Sequence, residues 1–565
     1  MPVQPYISTD DLLKLEFLTD EKDNGLDALL KEAQVTFELN KIPFAKFTFI
    51  ASNPDVDAKA DLPTDLLKKG QEIEVKVTVN KKPQTLFKGF IKSIEKSISE
   101  NCTTVKIECK DQAFKLTTPS EESDDSTETF KAKLDGFLTK ANIINNIKSK
   151  EQPKKEQPKE QSWEEEYITR NLHTIPWDYL VGFLDSIGMM VNVRNGEFNT
   201  LDILEAVPEE KYTAENGINV FAFSGREDES KKLSKASIEY WNPSSQSMEK
   251  IEAEQEAEKN IKTLTLNESR LLTSTMTRIA KTFLKRSNHA VIQGELSTFG
   301  NLEAKAGDFL SCNKVNKEID KKKLLISKEY HIFENACWKT EYTLGVETEQ
   351  SFTEANSPSI PAQQAQTGQT NSVSGLQIGV VTQIEEDPDN QFRIKVRIPT
   401  LSESGEGVWA RLANVFSGNE MGSFFIPNVN DEVIVGCLGN NPDTPIILGS
   451  LYSSQNAMPF PIEKENYTKA FVTKEGTKIQ LDDEKKSIEL STKKGNKLLI
   501  SDDEKGFVLE DENGNKILMN ADGITLDSSK DLILKAKMDF KMDSAKAALT
   551  ASATMDVKGS IIKLN

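Results

Sequence analysis

Histidine is nearly missing from this 565-residue chain: His173, His289 and His331 are the whole complement, each more than 40 residues from the next. Pairs such as HExxH are absent, so a histidine-based metal site has nothing to build on. The cysteines are few as well. Cys102, Cys109, Cys312, Cys337 and Cys437 are odd in number and scattered, which fits neither a disulfide framework nor a zinc cluster. They read as free thiols of a protein folded in a reducing cytoplasm. No GxSxG elbow, phosphate-cradling glycine loop or Cys–His signature occurs, so no catalytic, cofactor or metal site is expected. No run of about 18 apolar residues offers a membrane-spanning helix. The opening MPVQPYISTDDLLKLEFLTD lacks the basic-then-apolar pattern of a secretory signal. Positive charge is also in deficit. Lys+Arg number 70 against 89 Asp+Glu, a formal charge of −19 that repels phosphate backbones and anionic lipid. Nucleic acid and stable membrane insertion are therefore not expected among its partners.

What is present is mostly strand signal, and the length implies three or four domains. Two kinds of low-complexity sequence punctuate the chain. Thr117–Thr129 and Ser149–Gln161 are polar and poor in apolar residues, and such segments cannot offset their ordering entropy by burial. Phe130 to Ile147 between them carries apolar residues at helical spacing, so 117–162 reads as an exposed insertion with one helix. Ala355–Gly375, rich in Ser, Pro, Gln and Thr, reads as a linker. Ile73–Val79 and Thr103–Cys109 alternate as half-buried strands do. Trp177–Met190 reads as an amphipathic helix ending near Gly188, and Glu249–Lys259 as a charged, solvated helix. Glu164, Glu165 and Glu166 read as a solvated face rather than as acid–base catalysts.

From Gly379 to Tyr452 the pattern turns to short strands. Gly379–Ile384 and Phe392–Ile398 flank the turn at Asp387–Asn390, and Val433–Leu438 and Ile446–Leu451 flank another at Gly439–Asp443. About five strands in so short a stretch fit a small closed barrel of the OB type. Trp409 and Arg411 on it suggest packing and positioning rather than base stacking.

The last hundred residues repeat. Gly476, Gly495 and Gly514 recur at 19-residue intervals in the frames EGTKIQLDD, KGNKLLISDD and NGNKILMNAD. Further on, Leu532, Leu534, Ala536, Met538, Phe540 and Met542 alternate with mostly polar residues. The register then slips, and Ala545, Ala547, Leu549, Ala551, Ala553, Met555 and Val557 carry the apolar side. A ladder apolar on one side must cover that side. No amphipathic helix follows to do so, and from Pro461 onward 18 Lys balance 19 Asp+Glu, with no Arg or His. Identical chains wound about one axis would bury the inward residues and leave few open edges. The small alanines suit a narrow axis. A single-chain β-solenoid is the competing architecture. The turn pairs Asp482–Asp483 and Asp502–Asp503 serve either turn geometry or a Ca²⁺ ion.

The barrel segment resembles the VgrG spike family, itself similar to the hub and spike of contractile phage tails. The residues that carry the likeness are Val408-Trp409-Ala410-Arg411, Gly422, Phe425-Ile426-Pro427, Asp431-Glu432-Val433, Val435-Gly436, Pro442-Asp443, Pro445 and Gly449-Ser450-Leu451-Tyr452. Phe87-Lys88-Gly89-Phe90-Ile91 with Asp111 and Leu116, Trp177-Asp178 with Leu180 and Gly188, and Gly307, His331, Trp338 and Gly345 look like the family's hub motifs. The resemblance implies a mainly β protein. Residues 1–354 would form tube-docking hub domains with two β-barrels and a few helices, interrupted by the insertion at about 117–162. A linker at 355–376, an OB-fold domain at 377–460 and a trimeric, triple-stranded β-helix needle at 461–565 would follow. It further implies a homotrimeric central spike that docks a hexameric inner-tube protein, contacts baseplate proteins and pierces envelopes mechanically. A PAAR-type tip protein would sit on Ile561, Ile562, Leu564 and Asn565, and effectors are possible cargo. Because the tail has no histidine, an iron-bearing apex of the kind some relatives have is not expected. Assembly in the bacterial cytoplasm, then placement in a secreted or extracellular injection particle, is the expected route. A type VI secretion spike is the alternative machine, and a spike-borne hydrolase the alternative of another class.

Overall fold

The computed structural model describes residues 14–563 except 21, 53–66, 80–81, 100–101, 121–127, 148–161, 170–173, 243–244, 258–259, 267–270, 335–336, 347–372, 374 and 403–404. Most of the two polar segments, nearly all of the linker, His173, Leu564 and Asn565 thus lie outside the described residues. The chain divides into two compact units, Met1–Leu451 and Tyr452–Asn565.

In the first unit, thirteen of the described strands form one sheet. The alternating segments expected near 73 and 103 are the strands Glu72–Val79 and Cys102–Lys110. Their inward residues join Phe17, Phe47 and Phe49 in one aromatic core. There Phe17 meets Phe47 edge-on at 5.1 Å and Phe49 at 5.3 Å, the arrangement ring quadrupoles favour. A second core gathers Leu296, Leu310, Ile326, Tyr342 and Leu344. Where two β-barrels are expected, both cores lie on this single sheet. Its halves join where Lys323–Glu334 pairs antiparallel with Leu30–Glu38, His331 opposite Val35.

Among the described residues three α-helices pack in the first unit. The first, α1 (Phe130–Ala141), starts at Thr129, whose hydroxyl accepts from the Ala132 amide, and ends at Asn142 in the left-handed region. Phe130, Leu134, Leu138 and Ala141 are all buried in the core. The expectation of an exposed insertion is corrected here: only its polar flanks lack apolar residues, and the helix between them is core. The second, α2 (Pro176–Ser186), opens on a proline, which suits a first-turn position without an amide donor. It is buried on every side, not amphipathic, because α1, the strand Met189–Arg194 and a third helix enclose it. That third helix, α3 (Thr273–Ala290), turns Met276, Ile279, Ala280 and Leu284 inward.

The segment expected as a second charged helix is instead the strand Ser247–Glu254. Ile251 lies opposite Ile238 and Ala253 opposite Ala236. Lys235 reaches Glu252 at 2.6 Å and Glu254 at 2.8 Å on the outer face. Helix-favouring composition lost to cross-strand packing and a period of two.

Strands Leu376–Gln383, Ile394–Arg397, Val408–Leu412, Glu432–Cys437 and Pro445–Ser450 close into a barrel. In chain order they pair 1-2-3-5-4-1, the third and fifth parallel, as an OB-fold requires. Val381, Ile394, Val396, Ala410, Val433, Val435 and Ile447 fill it.

The second unit contains a seven-stranded antiparallel meander from Thr468 to Asp527. Gly476, Gly495 and Gly514 each take positive φ, +80°, +100° and +84°, at every second turn, a conformation L-residues resist. The turns also stack. Asn496 Oδ1 accepts from the Glu512 amide at 3.2 Å, and Asn515 Oδ1 from the Ser529 amide at 3.0 Å. Asp482 Oδ1 accepts the Lys485 amide at 3.0 Å, which is turn chemistry. After Gly523 the next glycine is Gly559, and no strand of the chain's own forms among the described residues beyond Asp527.

Candidate functional site: a buried histidine network and bare apolar faces

The described residues bring reactive side chains together at His331. Its Nε2 lies 2.6 Å from Glu329 Oε1 and its Nδ1 lies 3.0 Å from the Thr340 hydroxyl and 3.4 Å from Trp338 Nε1. A protonated Nε2 donating to the carboxylate, with Nδ1 accepting, satisfies the ring fully. The other oxygen of Glu329 takes the Arg194 guanidinium and the Ala306 amide at 3.2 Å. Burial alone would raise the Glu329 carboxyl, but Arg194 and then His331 outweigh it and hold it down to about 2. A hydroxyl, an imidazole and a carboxylate in a row have the order of a hydrolytic triad. Glu329, His331 and Thr340 are all fully buried, however, and Trp338 stacks on Phe333 at 5.1 Å above them. No substrate reaches these groups, so the network joins Arg194 of Met189–Arg194 to the main sheet. His289 stands apart, lowered to about 4 by burial and the nearby Lys285 charge. No cluster of three His, Cys, Asp or Glu fit for a metal occurs among the described residues.

Glu166 departs from expectation. Rather than lying on a solvated face it is buried, and its carboxylate accepts the Leu272 amide at 2.9 Å. Burial chiefly, and the charge of Asp443, raise it to about 7.

The barrel motif residues scatter by role. Trp409 lies opposite Lys395, whose ammonium is 5.7 Å from its ring, and Arg411 opposite Ile446. Asp431 accepts the Asn428 amide at 2.8 Å to shape the turn before Glu432. Gly436 faces Leu376 and Ile446, and Gly449 faces Ile434. Pro427 and Pro442 are buried, and Tyr452 is exposed. Asp443 does more than turn the chain: it accepts the amide and hydroxyl of Thr169, fastening the barrel to the preceding domain. Sequence reading gave no sign of this contact, which spans 274 residues. Gly422 anchors a small hairpin, where a Cβ would stand 2.6 Å from the Phe416 carbonyl.

The tail carries the largest anomaly. Two unbroken apolar columns run across the meander, the first over all seven strands and the second over the last six. One runs Phe471, Ile479, Leu490, Leu498, Leu509, Ile517, Leu526, and the other Leu481, Ile488, Ile500, Phe507, Met519, Ile524. Apart from Leu498, which is half-buried, these side chains are 37–69% exposed. The opposite face holds Glu489 between Lys478 at 3.0 Å and Lys497 at 4.0 Å, and buries Leu499 and Val508. The polar side is thus half-buried and the apolar side bare, the reverse of what water favours. Leu532, Met538, Phe540, Leu549, Val557, Ile561 and Ile562 are exposed as well.

Comparison with known proteins accounts for the pattern. Residues 10–327, more than half of the chain, match the Alg8 N-terminal domain. Residues 377–452 match the type VI secretion system/phage-baseplate injector OB domain, and 487–565 the phage baseplate V C-terminal trimerisation domain. The chain belongs to the Alg8 N-terminal domain family and, by barrel and tail, to the VgrG and contractile-tail spike family. It is similar to the type VI secretion system spike protein VgrG3 of Vibrio cholerae, 38% identical over 13% of this chain and 8% of that protein. It is likewise similar to VgrG5 of Pseudomonas aeruginosa, 32% identical over 18% and 14%. The matched stretches thus span only a small part of these spike proteins' own length. In fold it is similar to the Francisella PdpA–VgrG complex, half-lidded, with a TM-score of 0.52 at 11% identity, covering 93% of this chain and 89% of that one.

Proposed function

We propose that the chain is the trimeric central spike of a contractile injection system, doing its work mechanically and without an active site. One observation carries this reading: two apolar columns lie bare on the tail while its charged side is half-buried. Covering a half-exposed Leu, Ile or Phe contributes on the order of 1 kcal/mol. Thirteen such residues per chain, in three chains, outweigh an association cost of about 4–15 kcal/mol per binding step. Past Asp527, where the chain lacks turn glycines, sister chains would supply the strand partners that it cannot supply itself.

On this reading residues 1–354 dock a hexameric inner tube and baseplate proteins, and 377–460 form the barrel after a linker at 355–376. Residues 461–565 make the needle, with Ile561, Ile562, Leu564 and Asn565 seating a PAAR-type tip protein. Cargo effectors would travel with the spike, a role supported by the PdpA–VgrG complex to which the fold is similar. An extracellular injection particle is the preferred setting. The likeness to type VI spike proteins supports a second reading, a type VI spike. Neighbouring genes for a sheath, with or without a membrane complex, separate the two.

Placing Leu549→Asp in the producing cell tests the proposal. Injection into target cells should be lost while the tube protein is still made. Undiminished injection by a strain whose spike no longer self-associates would contradict it.

A further inference from the structure

The loop joining the first two strands of the barrel, residues 384–393, is built around one buried ion pair. Arg393 donates to the Asp387 carboxylate from Nη2 at 2.5 Å and from Nε at 3.1 Å. Their side chains are only 4% and 7% exposed. The same carboxylate accepts the amides of Asp389 at 3.1 Å, Gln391 at 2.8 Å and Arg393 at 3.1 Å. Burial would raise the Asp387 carboxyl, but Arg393 and these amides hold it far below its ordinary range. The loop therefore stays closed at neutral and mildly acidic pH. What this frame presents is Phe392, 94% exposed and with φ at +58°. A bulky residue resists the left-handed region, and a ring left in water contributes no burial. Both costs fall on one side chain, and the ion-paired frame imposes them. Strain kept in this way is the mark of a side chain set out in advance for a partner.

We propose that Phe392 is an anchor that seats in an apolar pocket of a different protein, one whose pocket is bordered by lysine or arginine. Charge selects the occupant. Glu385, Glu386 and Asp389 on the same loop are exposed, and no Lys or Arg lies between Gln383 and Phe392. A second copy at −19, nucleic acid and anionic lipid would all bring like charge to these carboxylates. A basic-bordered pocket brings the opposite charge. A single aromatic ring in a desolvated pocket is a common centre of binding energy. Holding that ring ready beforehand lowers the ordering cost of binding. The proposal goes beyond the trimeric reading and does not depend on it.

The test uses the full chain in two arms. In the purified protein, Phe392→Gly frees the left-handed backbone from its side chain and should melt at or above wild type. A lower melting temperature would show that the ring serves the chain's own fold, and overturns the proposal. In producing cells, the photo-crosslinking residue p-benzoylphenylalanine replaces Phe392 or, as an equally exposed reference, Val207, which is 82% exposed. Irradiation at position 392 should join the chain to one other polypeptide, through a peptide with Lys or Arg beside apolar residues. Adding Glu385→Lys and Glu386→Lys should cut the yield about tenfold or more, and position 207 should not give this product. A product of twice 63.1 kDa, which is a second copy, overturns the proposal. So does no product at position 392, a yield indifferent to the two lysines, or the same product from position 207. The mass of the purified chain reports on the trimeric reading separately, so either reading can fail alone.

Discussion

His331 and Glu329 stand two residues apart on one strand, side by side on the same face, with Nε2 2.6 Å from Oε1 and both side chains shut off from solvent. Arg194 completes the charge balance from a different strand, its guanidinium 3.8 Å from the Phe37 ring. A buried ion pair of this kind contributes little over an apolar substitute, but losing one partner strands the other.

Glu329→Gln should therefore cost about 3–5 kcal/mol, read by urea unfolding with tryptophan fluorescence. The carboxyl sits near 2 in the folded protein against 4.5 for a free side chain. Its contribution is complete above 4.5 and is lost as pH falls from there through 2. The variant should lack that part of the acid dependence; equal acid sensitivity of variant and wild type would contradict the assignment.

Glu166 has the opposite sign. Its folded value near 7 exceeds the free value of 4.5, so stability is full below 4.5 and declines as pH rises through 7. Glu166→Gln keeps an acceptor for the Leu272 amide and removes the buried charge. Its melting temperature should equal wild type at pH 4.5 and exceed it at pH 8. A variant no more stable at pH 8 would refute this.

Gly506 lies so close to Met519 that an added Cβ would overlap the Met519 carbonyl oxygen, a backbone atom that cannot swing aside. Gly506→Ala should destabilise the tail by about 1–3 kcal/mol, seen as faster proteolysis within 461–565 while the first unit resists as before. Unchanged cleavage would show that the close approach is absent in solution.

The tail was the most legible part of the sequence because two periods coincide there: alternation by two, and glycine every 19 residues where a turn needs positive φ. The barrel was legible for a similar reason, its strands being punctuated by Asp387–Asn390 and Gly439–Asp443. Long-range packing was not. α1 sits between polar flanks yet is core, and the charged run at Glu249 hides Ile251 and Ala253 at strand spacing. α3 showed its signal, Met276, Ile279, Ala280 and Leu284 at helical steps, but polar neighbours obscured it. Neither the Thr169–Asp443 fastening nor the His331 network leaves a local pattern, since each joins residues far apart in the chain.

Ile488 lies opposite Leu481 and Ile500 in one bare column, whereas Lys485 points from a turn and is highly exposed. Ile488→Asp should abolish self-association, because a carboxylate buried among apolar side chains has no partner. Lys485→Asp should leave it intact. Equal behaviour of the two variants in sedimentation would contradict the assignment of the inward face.

The most direct measurement is the mass of the full chain in solution, by light scattering or sedimentation equilibrium. The account predicts three times 63.1 kDa; a well-folded particle of 63.1 kDa would contradict it.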